Sequence, residues 1–135
     1  MAGELIRMQE DGKISFGDHK LMEKSKLEIT GAQGDTWKVK TFNEITKLEK
    51  NGSFLYESVP GSTVKNFEEK ENGVSFEVSA DKDAQITIGM QDDTEYEVFI
   101  QDESMGIMKT GFGGKLSISV ELEAYEQVQV RIVQV

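Results

Sequence analysis

Lys115-Leu116-Ser117-Ile118-Ser119-Val120-Glu121-Leu122 places an apolar residue at every second position. After a polar interval at Glu123-Ala124-Tyr125-Glu126, Gln127-Val128-Gln129-Val130-Arg131-Ile132 repeats the pattern. Side chains of an extended chain point to opposite faces at a period of two, so each run carries one apolar and one wet face. Two such runs joined by a short polar segment predict an antiparallel hairpin that closes one side of a β-sandwich. Gly113-Gly114, just ahead of the first run, suits a tight entry turn.

The same signals recur upstream. Residues 64–71 and 74–79 flank Asn72-Gly73, with Val74, Phe76 and Val78 on one face. Ile86, Ile88 and Met90 follow, then Tyr96, Val98 and Ile100, then a short run near residues 107–110. With the opening pair this makes seven predicted strands in about 75 residues, the spacing of an immunoglobulin-like sandwich. The only proline stands in Val59-Pro60-Gly61-Ser62, where a turn is expected between two halves of the chain.

Residues 1–60 read as shorter strands. Residues 5–9 and 13–17 flank Asp11-Gly12, a dipeptide suited to a tight hairpin turn. Residues 20–29 alternate imperfectly, with charges between the apolar positions, as an edge strand would. Residues 43–50 fit two descriptions. Asn43 could cap a short helix with Ile45 and Leu48 three apart, or residues 46–50 and 53–57 could form a hairpin about Asn51-Gly52 with Leu48 opposite Leu55. The Asn-Gly turn favours the hairpin. The expected fold is all-β: an antiparallel β-sandwich, with a hairpin and meander subdomain over residues 1–60 and an immunoglobulin-like, seven-stranded sandwich over residues 61–135.

The chain holds 135 residues, long enough to bury a core of its own. No run approaches the roughly 18 apolar residues of a membrane span, and no basic segment followed by an apolar one marks a secretory leader. Cysteine is absent, so neither a disulfide framework nor a thiolate metal site is expected. These features point to the cytoplasm. Charge is uneven: residues 1–60 hold 10 acids against 9 bases, residues 61–135 hold 15 against 6. Such an acidic surface repels phosphate, which disfavours nucleic acid and anionic membrane as partners.

The sequence offers no catalytic constellation. The one histidine, His19, sits in Gly17-Asp18-His19-Lys20, which reads as an exposed polar turn, and no Gly-x-Ser-x-Gly elbow is present. Asp81/Asp83, Asp92/Asp93 and Asp102/Glu103 cluster in predicted turns without the spacing of a Ca²⁺ loop. Asp favours turns through its own local hydrogen bonds. The glycines of Gly111-Phe112-Gly113-Gly114 lack the Lys-Ser/Thr of a phosphate loop. No catalytic, cofactor-binding or metal-binding residue is therefore expected.

Thr30-Gly31-Ala32-Gln33-Gly34-Asp35-Thr36-Trp37 resembles the Asp-box of sialidases and related propellers, Ser-x-Asp-x-Gly-x-Thr-Trp. Gly34, Thr36 and Trp37 match, Thr30 stands for the serine, and Ala32 replaces the defining aspartate. In that family the box is a structural turn, so the resemblance implies a turn and no catalytic role. Phrases such as Thr46-Lys47-Leu48-Glu49-Lys50-Asn51-Gly52, Tyr56-Glu57-Ser58-Val59-Pro60-Gly61 and Thr94-Glu95-Tyr96-Glu97-Val98-Phe99-Ile100 resemble small all-β proteins of anaerobic bacteria that carry the label "endosialidase". Sialidases grip their substrate carboxylate with three arginines, whereas this chain has only Arg7 and Arg131. The resemblance thus implies the label without the activity.

Two functions of different class remain. The first is a non-catalytic structural or self-assembling protein that works through protein–protein contacts, with a second copy or another protein as partner. Alternation slips at Ile132-Val133, which sends Val133 and Val135 to the other face and makes them the expected assembly edge. The second is a carbohydrate-binding or accessory module. A glycan site needs an exposed aromatic, and Tyr125, in its polar interval, is the candidate.

Overall fold

The computed structural model describes residues 5–31 and 33–135. Thirteen strands occur there: β1 (Ile6–Met8), β2 (Ile14–Phe16), β3 (Ser25–Thr30), β4 (Thr36–Thr41), β5 (Thr46–Lys50), β6 (Ser53–Val59), β7 (Thr63–Lys70), β8 (Gly73–Ser79), β9 (Ala84–Gly89), β10 (Glu95–Ile100), β11 (Glu103–Lys109), β12 (Lys115–Val120) and β13 (Val128–Gln134). They form two antiparallel layers, ordered β1-β2-β7-β8-β13-β10-β11 and β12-β9-β6-β5-β4-β3. The expected all-β sandwich is the fold. No helix occurs among the described residues, and residues 46–59 make the hairpin that Asn51-Gly52 favoured. Both turn residues have positive φ, 52° and 80°, the backbone that a two-residue turn between twisted strands requires. A register shift after Leu48 sets it opposite Tyr56 rather than Leu55.

Two expectations are corrected. Residues 115–120 and 128–134 do not form a hairpin: β12 pairs with β9 in one layer, while β13 lies between β8 and β10 in the other. The polar interval is a crossing between layers. In addition, residue 60 does not divide the core. β1 and β2 share a layer with β7, β8, β13, β10 and β11, and β9 and β12 extend the layer that β3–β6 begin. The seven strands after residue 60 are present, but each layer draws on both halves, so they are one body.

The alternating residues meet between the layers. Phe16 from β2, Tyr56 from β6, and Phe67 and Phe76 from β7 and β8 form an aromatic cluster with centroids 5.2–6.4 Å apart, mostly edge to face. Val39, Leu48, Val64, Val78, Ile86, Val98, Val130 and Ile132 extend it on both sides. Each such side chain contributes about 1.5–3 kcal/mol by leaving water. Among the described residues the buried side-chain polar atoms are paired, save the Trp37 indole N–H, which has no hydrogen-bond partner. The Tyr56 hydroxyl lies 2.7 Å from Ser62 Oγ, which is 2.6 Å from Ser58 Oγ. Thr46 Oγ1 donates to the Ser62 carbonyl and accepts the Ser62 N–H, at 2.7 and 3.0 Å. This knot fastens the chain just after the cis Val59–Pro60 bond to β5 and β6.

Candidate interaction edge

Two open sheets expose four edges, here β1 and β11 in one layer and β3 and β12 in the other. An edge leaves a row of backbone N–H and C=O groups without a strand partner, and most proteins blunt it with short length, bulges or charge. β1 has three residues. β11 is broken by a register shift opposite Glu97 to Phe99, where Gly106 adopts φ 100°. β3 carries Lys26 and Glu28 within the strand. β12 shows none of these devices. It holds unbroken register with β9, from Lys115↔Gly89 to Val120↔Ala84, and its one charge is Lys115 at the first position, with Glu121 next beyond the last.

The direction of each backbone group on β12 follows from one bond. The Met90 N–H donates to the Gly114 carbonyl at 2.7 Å, so Gly114 and Met90 stand as a hydrogen-bonded pair through that one bond, while the Gly114 N–H turns back to the Gly111 carbonyl at 3.2 Å. Such pairs alternate along an antiparallel ladder. Leu116, Ile118 and Val120 therefore direct N–H and C=O toward β9, while Lys115, Ser117, Ser119 and Glu121 direct theirs away from the sheet. The side chains alternate in the perpendicular sense. Leu116, Ile118 and Val120 are buried between the layers. On the outer face Ser117 lies 2.9 Å from Thr87 Oγ1, the Ser119 hydroxyl donates to Gln85 at 2.8 Å, and the Lys115 ammonium sits 4.6 Å from the Phe54 ring.

Both ends of β12 are fixed. At the far end, Asp83 accepts the N–H groups of Glu123 and Leu122 at 3.0 and 2.9 Å, and these bonds, Glu123 first, hold its carboxyl below the usual range. The acid read from sequence as a solvated turn residue thus positions the start of the crossing. At the near end, the loop from β11 carries Phe112 fully exposed.

The residues singled out from sequence fall elsewhere. Val133 is no edge residue, because β13 is paired on both sides, with Gly73 of β8 and Glu97 of β10 opposite Val133. The Val135 N–H donates to the Glu95 carbonyl at 3.1 Å, leaving only the Val135 side chain outward, 69% exposed. The slip in alternation marked the end of an interior strand. Tyr125 is 50% exposed on the crossing loop, as expected of a surface aromatic. Sequence reasoning missed β12 because its apolar alternation matches that of an interior strand; only layer order reveals an edge.

Two other places gather polar or aromatic groups. His19 is not an exposed turn residue: its side chain is 10% exposed, with Nδ1 2.7 Å from Thr63 Oγ1 and Nε2 3.5 Å from Asp81. The Thr63 oxygen also accepts the His19 backbone N–H at 3.3 Å. Engaged from both directions, it tethers the loop to β7. A cleft of about 430 Å³ opens beside Trp37, between Met8, Gln9 and Glu69. Lys50 covers one face of that indole at 5.1 Å and is held by Glu69 at 3.1 Å. The ring is buried, so the cleft has no open aromatic platform for a sugar. Among the described residues, no group of three His or acid side chains stands close enough to hold a metal ion. Comparison with known proteins gives no match: no family model, no curated protein and no solved structure matches the chain significantly.

Proposed function

We propose that this is a non-catalytic structural protein that works through protein–protein contacts, with the outer edge of β12 as the contact surface. The observation that carries the reading is the row of outward backbone groups at Lys115, Ser117, Ser119 and Glu121 on a regular strand without internal charge. Strand addition to such an edge draws its affinity from main-chain hydrogen bonds and its selectivity from side chains at alternate positions. Ser117→Pro is the test. It removes an N–H that points away from β9, so the fold tolerates it as edge strands tolerate proline. Sedimentation over a concentration series should show association of the wild-type chain and its loss in the variant, at an unchanged melting temperature. Association that survives Ser117→Pro would overturn the reading.

A second reading, a carbohydrate-binding or accessory module, rests on Tyr125, half exposed among Glu123, Ala124 and Glu126. A glycan array on which Tyr125→Ala binds as the wild type does, or on which neither binds, removes it.

A further inference from the structure

We infer that β12 pairs antiparallel with the β12 of a second copy, about a two-fold axis through Ile118, joining two six-stranded sheets into one. This rests on the reading of β12 as a contact edge and adds its partner, symmetry and register.

The register follows from two constraints, side-chain phase and charge, and the backbone agrees with it. Leu116, Ile118 and Val120 must stay on the buried face of both copies, and a slip of one residue would turn them out. The axis therefore passes through a residue, not between two. Centring on Ile118 then sets Lys115 of each copy opposite Glu121 of the other, so each seam has two opposite-charge pairs. Centring on Ser117 sets Lys115 against Ser119, and centring on Ser119 sets Glu121 against Ser117, so both shifts uncouple strand charges. The backbone is satisfied at this register, as it is for any axis through a residue. About Ile118 the pairs are Lys115 with Glu121 and Ser117 with Ser119, the four residues whose N–H and C=O groups point outward. A complete ladder closes with none left facing an inward group.

The same arrangement accounts for two exposed aromatics. An antiparallel seam brings the near end of one strand to the far end of the other. The loop with fully exposed Phe112 thereby approaches the loop with half-exposed Tyr125 of the other copy. Elsewhere two chains of net charge −10 repel. The β12 strip, with one base and one acid, is locally neutral. Such an isologous contact closes on itself, so it makes a dimer and not a fibre.

The absence of cysteine gives an unambiguous test. Ser117 and Ser119 of opposite copies would form a hydrogen-bonded pair with Cα atoms about 5.5 Å apart, within disulfide reach. Ser117→Cys and Ser119→Cys are purified separately, then oxidised alone and as an equimolar mixture. The expected result is a cross-linked dimer in the mixture only. Cross-linking of either variant alone, or of none, overturns this register. Glu121→Lys should weaken the dimer by about tenfold, since it replaces two opposite-charge pairs by like charges, and adding Lys115→Glu should restore it to within about threefold. Charge variants without effect also overturn the proposal, and they leave the contact edge standing as long as Ser117→Pro abolishes association.

Discussion

Two buried or bonded groups set how the fold answers to pH. Burial pushes the Tyr56 hydroxyl well above its ordinary value, against the smaller opposing effect of its hydrogen bonds to Ser62 and Ser58. The neutral form is favoured in the fold, so this stability is present below pH about 10 and is lost as pH rises through the folded value. Tyr56→Phe should cost about 1 kcal/mol near neutrality and give a protein that loses less stability between pH 8 and pH 11, read as urea midpoints. Asp83 has the opposite sign. Its folded value is depressed, so its contribution is present above pH about 4 and fades as pH falls through the folded value. Asp83→Asn should melt below the wild type at pH 7 and match it once both carry a neutral side chain near pH 2; a gap of equal size at both would show that the charge is irrelevant. Neither role was legible in the sequence. Tyr56 sits in ordinary strand phase, and Asp83 is one of several turn acids until the bonds to residues 122 and 123 are seen.

Turns and strands were more legible than their partners. Asn51-Gly52 announced its hairpin because few other residues accept positive φ at both turn positions. Gly52→Ala meets no neighbour within 4 Å, so its cost is backbone strain alone, about 1 kcal/mol, and should leave the β5–β6 amide cross-peaks in place. The misread hairpin has a simple cause. Period-two alternation says which face a residue takes and nothing of the neighbour it pairs with. A neighbouring strand lies about 5 Å away and the facing layer about 10 Å, and an interval of seven residues spans either. The interval from Glu121 to Gln127 therefore fits a turn and a crossing equally well. The same ambiguity placed the assembly edge at Val133 and Val135, on a strand that turns out to be interior.

At the scale of the whole molecule, the shared layers predict that neither half folds alone. Residues 1–60 lack the strands that cover β1 and β2, and residues 61–135 lack β6, against which β9 packs edge to edge. Each fragment should give the circular dichroism of an unfolded chain, and a cooperative melt from either would contradict a single core. The position of β13 carries this further, into the order in which the molecule can be made. Among the described residues it is the last strand in chain order, yet it fills the slot between β8 and β10, with β8 more than forty residues upstream. Until that segment leaves the ribosome, the larger sheet is two separate pieces with a gap one strand wide, and long-range closure of this kind is slow. Completion of this sheet thus waits on the insertion of a keystone, and a nascent chain stalled before residue 128 would present that gap to any extended peptide that reached it first.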